Sequence, residues 1–156
     1  MLKEGQKAPS FRLSSVDGGS VALEDYRGTP VVVYFYPKDD TPGCTREACA
    51  FRDSQAQIRK TGAIVLGVSP DSVASHQKFR DKYKLSFPLL SDPDKGVAKK
   101  FGAYGEKTLY GKKVVGMIRS TFIIDGDGIV RKVFPKVRVD GHAEKVLEAL
   151  QTLGVN

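Results

Sequence analysis

The chain has 156 residues, enough for one domain over residues 1–156 with a sizeable buried core. Hydrophobic residues make up 40% and charged residues 28%, a balance that excludes a disordered or fibrous chain. No apolar run is long enough to cross a bilayer, which argues against a transmembrane protein. The opening segment Met1–Gln6 lacks the apolar core of a secretory signal peptide, so we expect a cytoplasmic protein.

The chain is basic, with 25 Lys and Arg against 18 Asp and Glu and a net charge of +7. The basic residues are scattered, and Lys99–Lys100 and Lys112–Lys113 are only pairs, whereas a nucleic-acid interface is normally a clustered stripe. We interpret the charge as a solvated surface and expect no nucleic-acid and no membrane partner. The alternative, a basic nucleic-acid-binding module with incidental cysteines, predicts DNA binding that weakens steeply with salt.

The N-terminal part of the chain predicts a small β-hairpin followed by a buried strand. Phe11–Leu13 and Val21–Leu23 form the predicted hairpin, joined through Asp17–Gly19. The β-branched and aromatic run Val31–Tyr36 is typical of a strand buried on both faces, and Pro37 ends it.

A helix is predicted next, with Thr41 as N-cap, Pro42 as first helical residue and Gly62 as the stop. Ala63–Val68 predicts a second buried strand, and a strand–helix–strand of this length forms a parallel, right-handed unit. One mostly apolar face of the helix carries residues at helical spacing, namely Cys44, Ala48, Phe51, Gln55 and Ile58.

The second half of the chain continues the alternation of helices and strands. In order we predict a helix capped by Asp71 and running to Tyr83, a short strand at Phe87–Leu90, and a short helix from Val97 to Phe101 ended by Gly102. Residues 103–113 are rich in glycine and lysine and are expected to form a loop.

The C-terminal part predicts a hairpin and a final helix. Ser120–Ile124 and Ile129–Val133 flank two Asp–Gly steps, a strong hairpin signal. One stripe of the final helix carries Ala143, Val146, Leu147, Leu150 and Leu153. The sum is an α/β fold with a central mixed β-sheet flanked by helices and an N-terminal β-hairpin extension. This order of elements is similar to the thioredoxin fold.

Metal ligands are scarce. His76 and His142 are the only histidines, which together with two cysteines leaves few candidates for a closed zinc site. Asp125–Gly128 resembles the start of a calcium loop, but the twelfth position is Lys136 rather than glutamate, which favours a hairpin turn. We expect no metal and no organic cofactor, and we interpret His76 as a hydrogen-bonded packing residue.

Cys44 is predicted to be the third residue of its helix. Unpaired backbone N–H groups and the positive end of the helix dipole lie there. This environment favours a thiolate, which is the nucleophilic form of cysteine. In a cytoplasmic protein a close cysteine pair is more often catalytic or redox-active than structural. The alternative is a buried cysteine that acts as a small hydrophobic residue.

Cys49 follows five residues after Cys44. In a regular helix this spacing separates the Cα atoms by ~8.7 Å and points the side chains ~140° apart. A disulfide tolerates a Cα separation of at most about 7 Å, so the two cysteines cannot bond while that helix is intact. If they do pair, the first turns of the helix must unwind. The alternative is that Cys49 is an inert helix residue that never meets Cys44.

The segment Pro37–Cys44 matches the peroxiredoxin pattern Pro-x-x-x-Thr-x-x-Cys, and Tyr34–Thr45 resembles the peroxiredoxin Q branch, also called bacterioferritin comigratory protein. The spacing to Cys49 fits members of that branch with a second cysteine. Lys3–Leu13 is similar to the opening segment of the family, and Arg119–Asp125 is similar to its later strand. The resemblance covers nearly the whole chain.

The resemblance implies a thiol-dependent peroxidase that reduces hydrogen peroxide or organic hydroperoxides. Cys44 would be the peroxidatic cysteine, Thr41 would hydrogen-bond the peroxide, and Arg119 would stabilise the thiolate and the charge developing on the peroxide oxygens. Pro37 would shape the loop and shield the pocket from water. Cys49 would resolve the sulfenic acid as an intramolecular disulfide, which thioredoxin or a similar thiol reductant would reduce.

Purely structural roles remain open for these residues. The alternative for Thr41 is that it only caps the helix. The alternative for Arg119 is that it is an exposed strand residue. Glu47 matches a position where the family also has glutamate, and a favourable interaction with the helix dipole is an adequate explanation for it. On the same fold, the alternative function is a thiol-disulfide oxidoreductase or redox sensor, against which the missing Cys-x-x-Cys argues. Because the resolving pair is intramolecular, we expect a monomer.

Overall fold

Nine strands, four α-helices and one short 3-10 helix (Leu23–Tyr26) alternate along residues 1–154, the part of the chain that the computed structural model describes. The strands are β1 (Arg12–Ser15), β2 (Ser20–Ala22), β3 (Val31–Phe35), β4 (Ile64–Ser69), β5 (Leu89–Ser91), β6 (Tyr104–Leu109), β7 (Lys112–Met117), β8 (Ser120–Ile124) and β9 (Val130–Phe134). The helices are α1 (Pro42–Lys60), α2 (Val73–Tyr83), α3 (Gly96–Phe101) and α4 (His142–Leu153).

The central sheet has seven strands in the order β2-β1-β5-β4-β3-β8-β9. Strands β3, β4 and β5 are parallel, whereas β8 and β9 are antiparallel additions at one side. The N-terminal hairpin of β1 and β2 joins the other side, where β1 pairs with β5. The predicted mixed α/β sheet with a thioredoxin-like arrangement is therefore confirmed.

Strand β3 is buried on both faces, as its uninterrupted apolar sequence predicts. One face packs with the buried sides of α1, α2 and α4, through residues such as Phe51, Phe79 and Val146. The opposite face packs with α3 and the N-terminal segment, through residues such as Phe101 and Phe11. With helices on both sides, the end of β3 is a fixed point from which the chain enters α1.

Residues 103–113 do not form the loop that the sequence predicts. Most of them belong to the β6–β7 hairpin, a separate two-stranded sheet. Its two turn residues, Tyr110 and Gly111, have φ values of 52° and 77°, the left-handed pair that a tight two-residue hairpin turn requires. The hairpin is largely exposed on both faces, so its strands lack the alternation of apolar and polar residues that identifies a strand in sequence.

The N-cap of helix α2 lies one residue later than the sequence predicts, at Ser72 instead of Asp71. Ser72 is the N-cap, and its hydroxyl accepts a hydrogen bond of 3.1 Å from the backbone N–H of Ser75. The side chain of Asp71 instead accepts from the hydroxyl of Ser69 at 2.6 Å and from the backbone N–H of Asp39 at 2.8 Å. Asp71 thus connects the end of β4 to the loop before α1 rather than capping a helix.

Candidate active site

The loop between β3 and α1, Pro37–Thr41, is called the active-site loop below. It leaves the sheet at the end of β3 and leads into the first turn of α1, where Cys44 is the third residue. Strand β8 runs antiparallel beside β3 with Ser120 opposite Phe35. Because of this register, Arg119 lies beside the end of β3 and reaches the start of α1.

Cys44 and Arg119 are in direct contact. The thiol is buried, with 2% of the residue exposed, and its Sγ lies 3.2 Å from Arg119 Nη2. The other terminal nitrogen, Nη1, donates to Glu47 Oε1 at 2.6 Å. Gly43 makes room for this arrangement, since a Cβ at that position would lie 3.3 Å from Arg119 Nη2. A fixed guanidinium at this distance stabilises negative charge on the sulfur.

Thr41 is the N-cap residue of α1 by its extended backbone, but its side chain does not cap the helix. Its hydroxyl donates to the carbonyl of Lys38 at 2.9 Å, a bond inside the active-site loop. The hydroxyl oxygen therefore keeps its lone pairs for another donor. Pro37 is half-buried and begins the loop directly after Tyr36.

Glu47 is buried on the same face of α1 as Cys44, with 1% of the residue exposed. Burial raises its pKa to about 7, while Arg119 acts in the opposite direction. Burial alone would lower the pKa of Arg119, but the nearby Glu47 and Cys44 outweigh it, so that pKa is raised. Among the residues described, Glu47 Oε2 and Tyr34 Oη are buried without a hydrogen-bond partner. Burial also raises the pKa of Tyr34.

The raised pKa of Glu47 predicts a pH-dependent stability. The pKa of this carboxyl is ordinarily 4.5 and is about 7 in the folded protein, so between these values the folded state binds the extra proton. The stability it contributes is fully present below pH 4.5 and is lost as pH rises to about 7. The size of the loss is roughly 3 kcal/mol, at 1.36 kcal/mol per pKa unit.

We expect Glu47→Gln to remove the pH-dependent part of the stability that comes from Glu47. The free energy of unfolding of the wild type should therefore fall relative to that of the variant between pH 5 and pH 8. Urea unfolding of the reduced proteins across this range measures it. Glu148→Gln, at an exposed position of α4, is the control and should follow the wild type. Parallel curves for the wild type and Glu47→Gln would contradict a proton held on Glu47.

Cys49 is half-buried on the same helix as Cys44, and both thiols are free. Helix α1 is continuous from Pro42 to Lys60, so it contains both cysteines in regular helical geometry. The separation of ~8.7 Å that follows from five helical residues exceeds the limit of about 7 Å for a disulfide. This structure is therefore the dithiol form, and it does not bring the two sulfurs together.

The contact between Glu47 and Arg119 was not predicted from the sequence. The signal was present, because Glu47 interrupts the apolar face that Cys44, Ala48 and Phe51 define. A carboxylate in such a stripe needs a buried cationic or hydrogen-bonding partner. Which residue supplies it depends on the pairing of β3 with β8, and the sequence alone does not reveal that register.

Two other sequence predictions concern possible metal ligands. His76 is fully buried and hydrogen-bonded through both ring nitrogens, as expected of a packing residue. Asp125–Gly128 forms the turn before β9, where Asp125 Oδ1 accepts from the backbone N–H groups of Asp127 and Ile129. The hairpin-turn interpretation of this segment is confirmed.

In residues 1–154, no helix is both long and apolar enough to cross a membrane.

Comparison with known proteins agrees with the fold and identifies the family. The AhpC/TSA family matches residues 4–133. Peroxiredoxin Bcp of Bacillus subtilis is 48% identical over 152 residues, which cover 97% of this chain and 95% of the relative. A cysteine-to-serine mutant of Xylella fastidiosa PrxQ has a TM-score of 0.91 and 38% identity, with 98% of each chain covered.

A further solved structure is that of the Xanthomonas campestris bacterioferritin comigratory protein, studied for its alkyl peroxide reduction activity in a trapped intermediate and ligand complexes. It is 43% identical to this chain, with a TM-score of 0.87 over 92% of each chain.

A thioredoxin-like sheet that presents a buried thiol at the start of a helix, against an arginine, defines a class of thiol-based enzymes. The chain belongs to the AhpC/TSA family, and the three relatives described above, similar over nearly its whole length, are peroxiredoxins of the Bcp or Q type. The resemblance to the peroxiredoxin Q branch is thereby confirmed. The protein is a thiol peroxidase, an enzyme whose substrate is a peroxide and whose electrons come from a thiol reductant.

Proposed function

We propose that this protein reduces hydrogen peroxide and organic hydroperoxides at Cys44 and is recycled through a Cys44–Cys49 disulfide. The observation that carries the proposal is the 3.2 Å contact between Arg119 Nη2 and the sulfur of Cys44, at the first turn of α1. The guanidinium and the unpaired N–H groups of the helix start favour a thiolate at this place. A thiolate is the form of cysteine that attacks a peroxide.

In the first step the Cys44 thiolate attacks one peroxide oxygen and the O–O bond breaks. The second oxygen leaves with the bonding electrons, takes up a proton and departs as water or an alcohol. Cys44 is oxidised to a sulfenic acid. Arg119 stabilises the charge spread over the sulfur and two oxygens, and Thr41 accepts a hydrogen bond from the hydroperoxide. Pro37 shields the reacting atoms from water.

In the second step the Cys49 sulfur attacks the sulfenic sulfur of Cys44, and water leaves as the disulfide forms. The two cysteines lie too far apart for this bond while α1 is helical. The first turns of α1 must therefore unwind, and oxidation changes the local fold as well as forming a bond.

Thioredoxin or a similar dithiol reductant then restores both thiols by exchange through a mixed disulfide. Because both cysteines lie on one chain, the cycle is complete in a monomer. A supply of reduced thiols is typical of the cytoplasm, where we place the protein. The alkyl peroxide reduction activity studied for the Xanthomonas campestris relative supports organic hydroperoxides as substrates beside hydrogen peroxide.

The test is a thiol count and an intact mass after one equivalent of hydrogen peroxide is added to the reduced protein. We expect both thiols to disappear within seconds and the mass to fall by ~2 Da, the loss of two hydrogens on disulfide formation. Far-UV circular dichroism on the same sample should show loss of helix, because the start of α1 unwinds. Thiols that survive for many minutes would show that Cys44 is an ordinary cysteine, and the proposal would then be wrong.

A further inference from the structure

Asp39, in the middle of the active-site loop, is held by four hydrogen bonds. Its Oδ1 accepts from the Tyr36 hydroxyl at 2.6 Å. Its Oδ2 accepts from the Ser75 hydroxyl at 2.8 Å and lies 2.7 Å from His76 Nδ1. Its backbone N–H donates to Asp71 Oδ2 at 2.8 Å. With 7% of the residue exposed, Asp39 is shielded from water that would compete for these bonds.

His76 connects this aspartate to the interior of the fold. The imidazole is fully buried, and its Nε2 lies 2.9 Å from the carbonyl oxygen of Leu90 in β5. A carbonyl oxygen only accepts, so Nε2 carries a hydrogen and donates it. The other ring nitrogen, Nδ1, makes the hydrogen bond to the Asp39 carboxylate. The ring therefore ties the active-site loop to both α2 and β5.

Asp39, Asp71 and His76 also have the residue types of a metal site, and their ligand atoms lie within 4.8 Å of one another. The two Asp39 oxygens, the two ring nitrogens and Asp71 Oδ2 already have protein hydrogen-bond partners. A cation would have to displace these bonds. We therefore interpret the cluster as a hydrogen-bonded anchor for the loop.

The next residue, Asp40, adds a weaker contact with the same helix. Its φ of 57° lies in the left-handed region, which Asp tolerates better than most residues. Its carboxylate accepts from Lys82 Nζ and from the Tyr83 hydroxyl, each at 2.8 Å, and these bonds lower the pKa of Asp40. Because the ion pair of Asp40 and Lys82 is exposed, water competes with it. The contacts of Asp39 therefore contribute more to holding the active-site loop against α2.

We propose that His76 is a positioning residue for peroxide reduction, acting through Asp39 to fix the active-site loop and, with it, Thr41. This inference rests on the proposed function. The Thr41 hydroxyl donates a hydrogen bond to the carbonyl oxygen of Lys38, so the chain segments before and after Asp39 are held together. Displacement of Asp39 therefore moves the group that receives the peroxide. Attachment to α2 and β5 also leaves the loop in place when the first turns of α1 unwind.

Two substitutions test the two ring nitrogens of His76 separately. Each is made in a Cys49→Ser background, where Cys44 is the only thiol. His76→Asn keeps an amide near the Nδ1 position and so retains a donor to Asp39. His76→Gln keeps an amide near the Nε2 position and retains the donor to Leu90. For each protein we would measure the rate constants of Cys44 with hydrogen peroxide and with iodoacetamide, and compare their ratio.

The ratio is informative because alkylation requires only the thiolate, whereas peroxide reduction also requires Thr41 in place. We expect His76→Gln to lower the ratio roughly tenfold or more, since a displacement of ~1 Å can cost about 10²-fold in rate. His76→Asn should restore most of it. An unchanged ratio in His76→Gln, equal losses in both variants, or a loss in His76→Asn alone would each overturn the proposal.

If His76→Gln does not fold, the double variant Tyr36→Phe/Ser75→Ala decides. It removes two of the three side-chain hydrogen bonds to the Asp39 carboxylate and leaves His76 intact. A lowered ratio is expected, and an unchanged one would overturn the proposal. The parent protein separates this inference from the proposed function. A parent that reacts slowly with peroxide would overturn both, whereas a fast parent with unaltered variants overturns only the role of His76.

Discussion

Cys44→Ser should abolish peroxide reduction. A serine hydroxyl is not ionised near neutral pH and is a far weaker nucleophile than a thiolate, so the first step loses its attacking group. We expect a loss on the order of 10⁴-fold or more in the rate of peroxide consumption, the scale seen when a catalytic nucleophile is removed. The substitution is nearly isosteric, and the new hydroxyl can accept from Arg119 in place of the sulfur. Stopped-flow measurement of peroxide loss, with circular dichroism to verify the fold, tests this.

Cys49→Ser is the matched comparison, because it removes the other thiol of the same helix. Its first, single-turnover reduction of peroxide should proceed, since Cys49 enters only after the sulfenic acid has formed. Recycling by thioredoxin should stop, and repeated exposure to peroxide should oxidise Cys44 beyond the sulfenic acid. Equal loss of the single-turnover step in both variants would contradict the separate roles of the two cysteines.

The unit that carries Cys44 was predictable from sequence because its signals are local. The apolar run Val31–Tyr36 indicates a buried strand, and Thr41–Pro42 indicates where the helix begins. Each signal depends on a few neighbouring residues, and the fold keeps all of them: β3 ends at Phe35 and α1 begins at Pro42. A nucleophile placed at such a junction is therefore recognisable before any tertiary contact is known.

The β6–β7 hairpin was not predictable by the same reasoning. Its strands pair only with each other, and little of their surface is buried, so the sequence carries no apolar alternation. Its turn is Tyr110–Gly111, which lacks the Asn–Gly or Asp–Gly signature of tight hairpins. Backbone pairing holds this element, and pairing partners leave little trace in residue type.

The contacts around Cys44 were only partly predictable from the sequence. Glu47 and Arg119 are 72 residues apart, and their contact exists because β8 pairs with β3 in one register. A shift of one residue would turn the side chains of β8 to the opposite face of the sheet. The resemblance to a known family identified Arg119 as a site residue. The pairing that makes its contacts possible is a property of the folded sheet.

Arg119→Met should slow peroxide reduction by roughly 10²- to 10³-fold, the cost of removing one preorganised donor from a transition state that develops negative charge. Methionine keeps much of the apolar stem but removes both terminal nitrogens, which contact Cys44 and Glu47. Because Arg119 lowers the pKa of Glu47, its loss should leave that buried carboxyl protonated. A neutral Glu47 limits the damage to the fold, so the loss of rate should exceed what a loss of stability explains.

Arg119→Lys separates charge from geometry. Lysine keeps a positive charge but lacks the fork that reaches two partners at once, so we expect a rate between those of the wild type and Arg119→Met. Arg131→Met is the control, since Arg131 is another strand arginine paired with a carboxylate, Asp125, away from Cys44. Stopped-flow rates for the three variants give the comparison. If Arg119→Met reacts as fast as Arg131→Met, the guanidinium does not act on the reacting atoms, and the thiolate of Cys44 depends on the start of α1 alone.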